Sequence, residues 1–245
     1  MNLPHDPLWP RAASIFSHPS DQGSDLTLVG VPANQNSISP TSAHLTPAAI
    51  RQALLRYSLA HSDSKVDLSR LKLSDLGDVS SPDKDEQKTI TELAAIAQKH
   101  RLLVALGGDN SITYSVAKGV AATGLITFDA HYDLRDGVSN GSPVRRLIES
   151  GLAGKNVVQI GIADFSNSPQ YAERARELGI TVIHRSELRG ASLEEVWKRA
   201  LKIAGSRIHV DFDMDICDRS VVPACPAAAP GGISADEIRQ FAFLA

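Results

Sequence analysis

Two short segments carry residue types that do chemistry only in company. Asp129-Ala130-His131-Tyr132-Asp133 and Asp211-Phe212-Asp213-Met214-Asp215 set an acid or an imidazole at every second position. In an extended chain alternate side chains share a face. Asp129, His131 and Asp133 are therefore expected on one side of their segment, and Asp211, Asp213 and Asp215 on one side of theirs. Gathering four or more carboxylates in a crevice is costly unless cations neutralise them. Four carboxylates match the charge of two divalent ions, with room for a bridging hydroxide. Oxygen donors with one imidazole suit manganese or magnesium better than a structural zinc, and manganese is the expected ion. Two such ions a few ångströms apart lower the pKa of a shared water and polarise the group it attacks, which is hydrolytic machinery. A lone D-x-D is often a loop or cap, and it also suits a magnesium-dependent nucleotide-sugar enzyme. That last reading leaves DAHYD without a use.

The elements that must position these residues follow from apolar runs, each followed by a stretch of helical periodicity. Strands are expected at 26–32, 71–79, 102–106, 125–131, 157–163, 180–184 and 207–215, and helices at 84–100 and 111–121. Thr46 is expected as an N-cap with Pro47 at the first helical position, and Ser168-Pro169 opens another helix. Ser192-Leu-Glu-Glu195 and Ser234-Ala-Asp-Glu237 match the capping box. The alternation predicts an α/β fold with a parallel sheet between helices. In such a sheet ligands bind outside the carboxyl ends of the strands. Three polar clusters fall there: Gly107-Gly108-Asp109-Asn110-Ser111, DAHYD and the 211–215 segment. The paired glycines alone mark only a backbone position with positive φ.

Composition narrows the class. The 245 residues are 42% hydrophobic and 22% charged, enough to bury a sizeable core. Twenty-five basic against 28 acidic residues, without basic runs, leave no footprint for nucleic acid or an anionic membrane. The N-terminus lacks a basic segment followed by an apolar block, and no run approaches membrane-spanning length. A soluble, cytoplasmic protein with a small-molecule partner is the expectation. Cys217 and Cys225 cannot build a disulfide framework and are read as buried or loop thiols. No linker divides the chain, so a single domain over 1–245 is expected.

With these clusters in order, the sequence resembles the ureohydrolase superfamily of arginase, agmatinase and formimidoylglutamase. The signatures GGDHS, DAHxD and S-F-D-x-D-x-x-D-P stand here as GGDNS, DAHYD and D-F-D-M-D-I-C-D-R, with weaker matches in VGVP (29–32), TPAAIR (46–51) and LGDV (76–79). The stretch FDAHYDLRDGVSNGSPVRRLIE is similar to the formimidoylglutamase branch. Arginases carry a histidine in the loop after DAHxD, where this chain has Asn140-Gly141-Ser142-Pro143. The resemblance implies a three-layer α/β/α, arginase-like fold with a mostly parallel sheet and a homo-oligomer. It also implies hydrolysis of N-formimidoyl-L-glutamate to formamide and L-glutamate, a step of histidine degradation.

Carried over residue by residue, Asp129 and Asp213 are similar to bridging manganese ligands. Asp133 with Asn110 would complete the first ion, and His131 with Asp215 the second. Asp109 and Asp218 match positions that orient the ligands, and Asp133 is a proton partner for catalysis. Arg135 or Arg145, with Arg146 beside them, are candidates to pair with the substrate's carboxylates. Asn110 replaces the family's histidine and offers only an amide oxygen, so the ion near it is expected to bind more weakly. Arg219 stands where the family has proline. The family continues through a further strand whose end supplies a glutamate to the substrate, whereas this chain ends at Ala245. The resemblance therefore implies a fold lacking the C-terminal strand–helix portion. Two alternatives stay open: an agmatinase-like or other guanidine or amidine hydrolase, and a catalytically impaired metal-binding member.

Overall fold

The computed structural model describes residues 6–16, 23–61 and 68–245. The chain forms two compact units, one of Met1–Gln35 and Ser42–Asp109, the other of Asn36–Thr41 and Asn110–Ala245.

In the first unit, β1 (Leu26–Val31) lies between β2 (Leu73–Asp78) and β3 (Leu103–Gly107), and both pairings are parallel. Val29 and Val31 of β1 are almost fully buried, as two-sided coverage of a parallel strand requires. Helix α1 (Thr46–Leu54) is tied to β2 through Arg51, whose guanidinium pairs with Asp75 at 2.6 Å and Asp78 at 2.5 Å. Helix α2 (Glu86–Ala97) opens on Asp85, whose side chain accepts from Lys88 N–H. The expected Thr46 cap is corrected. A 3-10 turn over Ala43–Leu45 runs straight into α1, so Thr46 is already helical and Leu45 holds the cap position without a side-chain bond. Beyond β3, a Cβ on Gly108 would fall 1.9 Å from the Ala33 carbonyl oxygen. Glycine is needed there for close approach of two backbones.

In the second unit four parallel strands stand in the order β6-β5-β4-β7: β4 (Gly124–Phe128), β5 (Val157–Ile162), β6 (Thr181–His184) and β7 (Ile208–Phe212). Burial is complete along β4 and β5. One face, with Ile126, Phe128, Val158, Ile160 and Ile183, packs on α7 (Leu193–Ala204) through Trp197 and Ala200 and on α8 (Ala235–Leu244) through Phe241. Phe128 stacks on Phe212 with centroids 4.6 Å apart. The other face, with Leu125, Val157 and Ile162, packs on α3 (Ile112–Gly119), α4 (Pro143–Glu149) and α5 (Pro169–Glu177) through Ala117, Val144, Leu147 and Ala175. Residues Arg185–Leu188 form the short α6. The sheet is thus held between two helical layers, the three-layer α/β arrangement expected. Ser168, Ser192 and Ser234 cap α5, α7 and α8; of the two predicted boxes Ser234 and Glu237 complete the reciprocal pair, whereas at α7 Ser192 accepts from Glu195 N–H without the return bond. Cys217 is buried and Cys225 half-buried, both as free thiols. Among the described residues no helix is long and apolar enough to cross a membrane.

Candidate metal centre

DAHYD sits just beyond the carboxyl end of β4, and the second motif begins in the last two residues of the neighbouring β7 and runs past its end, inside the second unit. The strands end earlier than the sequence predicts, at Phe128 and Phe212, so side-chain alternation does not align the acids. The same local device does so twice. Asp129 Oδ1 accepts from His131 N–H at 2.6 Å, and Asp213 Oδ1 accepts from Asp215 N–H at 3.0 Å. Each aspartate thus curls the chain out of the strand by bonding its own backbone two residues on.

Further bonds lock one turn to the other. Asp213 N–H donates to the Phe128 carbonyl at 2.9 Å, and Ala130 N–H donates to Asp215 Oδ1 at 3.1 Å. Asn167 receives Tyr132 N–H on its Oδ1 at 3.2 Å and donates Nδ2 to the Ala130 carbonyl at 2.8 Å. Gln159 Nε2 donates to the Tyr132 carbonyl at 2.9 Å. Asp133 is a non-glycine residue in the left-handed region, φ +54°. Such strain persists only where the surroundings over-determine it, and Arg145 N–H donates to the Asp133 carbonyl at 3.2 Å.

His131 Nδ1 lies 2.9 Å from Asp215 Oδ2 and 3.5 Å from Asp129 Oδ1. Asp129, His131 and Asp215 each offer a ligand atom, all within 4.8 Å of one another. Asn110, just before α3, reaches the same place: its Nδ2 donates to Asp133 Oδ2 at 2.5 Å and stands 3.5 Å from Asp129 Oδ2. The amide oxygen faces the other way, accepting from Thr113 Oγ1 at 2.8 Å. Sequence reasoning grouped Asp211 with the other acids but gave it no role. It lies beside Thr127 in the β4–β7 register and is hydrogen-bonded to Thr113, while its Oδ2 is buried without a partner.

Crowded carboxylates in a dry pocket resist ionisation. Burial, then the charge of Asp215, lifts Asp129 to about 6. Burial, then the charge of Asp129, lifts Asp211 to about 7 against the Thr113 hydrogen bond. Asp133 and Asp213 are pushed well above the carboxylate range, first by burial and then by neighbouring aspartates. Burial of His131 works to discharge it, but the Asp129 and Asp215 carboxylates prevail and hold its pKa near 10. Five acids around one imidazole form a donor set that asks for added positive charge. Oxygen-rich with a single nitrogen, it suits a hard divalent ion.

The remaining candidates lie elsewhere. Asp109 belongs to the first unit, buried, its N–H donating to the Ala33 carbonyl at 2.8 Å. Asp218 organises the following loop: it accepts from Ser220 N–H at 2.9 Å, Ser220 Oγ at 2.6 Å and Gly231 N–H at 2.7 Å, bonds that lower its pKa to about 2. Arg145 braces the loop after DAHYD, with Nε donating to the Arg135 carbonyl at 2.6 Å and its other nitrogens to the Gly137 carbonyl and Glu149. Arg135 is exposed, with its stem beside Gly141. Arg146 lies over the Tyr114 ring. The sequence reading missed the supporting roles of Asn167 and Thr113. For Thr113 a signal existed, its i+3 spacing from Asn110 at a helix start.

A parallel α/β sheet with an acid-rich, one-imidazole cluster at its carboxyl ends defines the class of α/β folds that carry a candidate cation site. Within that class, the model of the arginase family matches residues 24–243, and the chain belongs to that family. It is 37% identical over 235 residues to the formimidoylglutamase of Halalkalibacterium halodurans, covering 88% of this chain and 73% of the relative. The crystal structure of Bacillus subtilis formimidoylglutamase superposes with a TM-score of 0.91 at 31% identity, covering 98% of this chain and 81% of that one. Trypanosoma cruzi formiminoglutamase, solved with Mn2+, superposes with a TM-score of 0.87 at 27% identity, covering 96% and 85%.

Proposed function

We propose that this arginase-family hydrolase is a manganese-dependent formimidoylglutamase, cleaving the amidine of N-formimidoyl-L-glutamate to formamide and L-glutamate in histidine degradation. The observation that carries the reading is the convergence of Asn110, Asp129, His131, Asp133, Asp213 and Asp215 at the ends of β4 and β7, in a chain similar over most of its length to formimidoylglutamases. The reading places the protein in the cytoplasm, as a homo-oligomer.

Two manganese ions fit the donor set. Asp129 and Asp213 would be shared between them, Asp133 and Asn110 would serve one, and His131 and Asp215 the other. When bound, the ions supply a nucleophilic water at neutral pH and polarise the amidine. The chain's own residues do the rest. Asp133, held near Asn110 and braced by Arg145, takes the proton of the attacking water and delivers it to the departing nitrogen. Asp218 would support the ligands through the loop it organises, and Asp109 through its place in the chain next to Asn110. Arg135, whose exposed guanidinium is unlike the committed Arg145, pairs with a carboxylate of the glutamate moiety.

The test is product analysis with manganese added to the purified chain. Formamide and glutamate from N-formimidoyl-L-glutamate, without urea from agmatine or guanidino acids, is the expected result. Urea release would move the substrate to the guanidine class. Manganese binding without either product would make the chain a metal-binding member only.

A further inference from the structure

The Asn110 amide faces a choice that the pocket decides. Its nitrogen lies toward Asp133 and Asp129 and its oxygen toward Thr113. An amide nitrogen has no lone pair to give a cation, so Asn110 can serve as a ligand only through its oxygen. To do so it must turn its nitrogen toward Thr113.

Thr113 is buried on the first turn of α3, and its hydroxyl stands between two acceptors, Asn110 Oδ1 at 2.8 Å and Asp211. A hydroxyl has one proton and two lone pairs. It cannot donate to both. Asp211 has the stronger claim, since its other oxygen, Oδ2, has no protein donor, whereas Asn110 can turn and offer Thr113 its amide N–H instead. With the Thr113 proton on Asp211, the hydroxyl shows Asn110 only lone pairs, and the group they accept is the amide N–H. Every donor then has an acceptor along Asn110 N–H, Thr113 O–H and Asp211, and the amide oxygen is turned into the acid cluster.

We infer that Thr113 and Asp211 are positioning residues that orient the Asn110 amide so that its oxygen, not its nitrogen, is presented to a divalent cation. The inference rests on the manganese reading above and adds what makes an asparagine serviceable at that position.

The experiment is manganese titration of the full chain by calorimetry and electron paramagnetic resonance, with no turnover required. The unsubstituted protein, Thr113→Ser, Thr113→Val and Asp211→Ala are compared, and Thr113→Val is repeated in an Asn110→Ala background. Partners that orient a metal ligand are typically worth about 10- to 100-fold in affinity. Thr113→Val and Asp211→Ala should each weaken one manganese site about tenfold and spare the other, whereas Thr113→Ser should restore it. In the Asn110→Ala background Thr113→Val should change neither site, an effect that a general loosening of α3 would not reproduce. Unchanged affinity in Thr113→Val, or an equal loss with and without Asn110, overturns the relay. No manganese binding by the unsubstituted chain overturns the metal reading itself. If Thr113→Val fails to fold, the comparison of Asp211→Ala with and without Asn110 decides the same question.

Discussion

His131 Nδ1 lies 2.9 Å from Asp215 Oδ2 and 3.5 Å from Asp129 Oδ1, and against its burial the Asp129 and Asp215 carboxylates raise the imidazole pKa to about 10. A first prediction concerns the metal-free protein. Groups with a raised folded pKa bind more protons folded than unfolded, so stability falls as pH rises between the two values. Asp129 (to about 6), Asp211 (to about 7) and His131 (to about 10) all act in this direction, joined by Asp133 and Asp213. His209, lowered to about 4 by burial, opposes them only below its ordinary value. Between pH 6.5 and 8 the melting temperature of metal-free protein should therefore decline. Excess manganese should flatten or reverse the slope, because binding needs the acids deprotonated and the imidazole neutral. Calorimetric melts with chelator and with manganese check both arms, and a metal-free melting temperature that climbs over this interval would contradict the assignment.

A second prediction follows from the proposed role of Asn110 as a ligand. One manganese ion should bind tightly and one weakly, and Asn110→His should tighten the weak one by about tenfold or more, an imidazole nitrogen replacing an amide oxygen. Two-site calorimetry reads this directly. Two equally tight sites in the unsubstituted chain would be the contrary result.

The arginines separate by their bonds. Arg145 is committed to the loop that holds Asp133, so Arg145→Ala should lower kcat on a glutamate-linked amidine and on an uncharged one alike. Arg135→Ala should raise KM for the glutamate-linked substrate alone, by about tenfold, the scale of one hydrogen bond to a charged group. Steady-state kinetics on both substrates distinguish the two. Equal losses for Arg135→Ala would remove its carboxylate role.

A fourth prediction addresses the layer beneath the site. Phe128 is fully buried, stacked on Phe212 and tilted against Phe241 with both centroids 4.6 Å away. Phe128→Ala should cost about 3–5 kcal/mol in denaturant unfolding. A loss under about 1 kcal/mol would mean that the face repacks.

Much of this was legible in the sequence because the signals were local. Apolar runs such as LITF and VVQIGI, bounded by turn residues and alternating with helical stretches, read as buried parallel strands, and Ser168, Ser192 and Ser234 announce helix starts that the structure keeps. The acids were identifiable, but the reason for their grouping was not. Alternation predicted a shared face along a strand that stops at Phe128, and the actual cause is a side chain bonding its own backbone, identical at Asp129 and Asp213. The Thr46 cap failed because a preceding 3-10 turn had already supplied the helical geometry. Contacts between residues far apart in the chain, such as Asn167 on Tyr132 and Asp215 on Ala130, have no periodic signature to read.

Among the described residues β7 is hydrogen-bonded to one neighbour only, β4, which is itself paired on both flanks. Asp213 and Asp215 therefore follow a strand paired on one side among the described residues, while Asp129 and His131 follow one paired on both. A cation gripping both sets acts as a staple across that seam. Amide hydrogen exchange along β7 should slow on loading with manganese far more than along β4, so the ion that equips the pocket for chemistry also fastens the outer rung of its ladder.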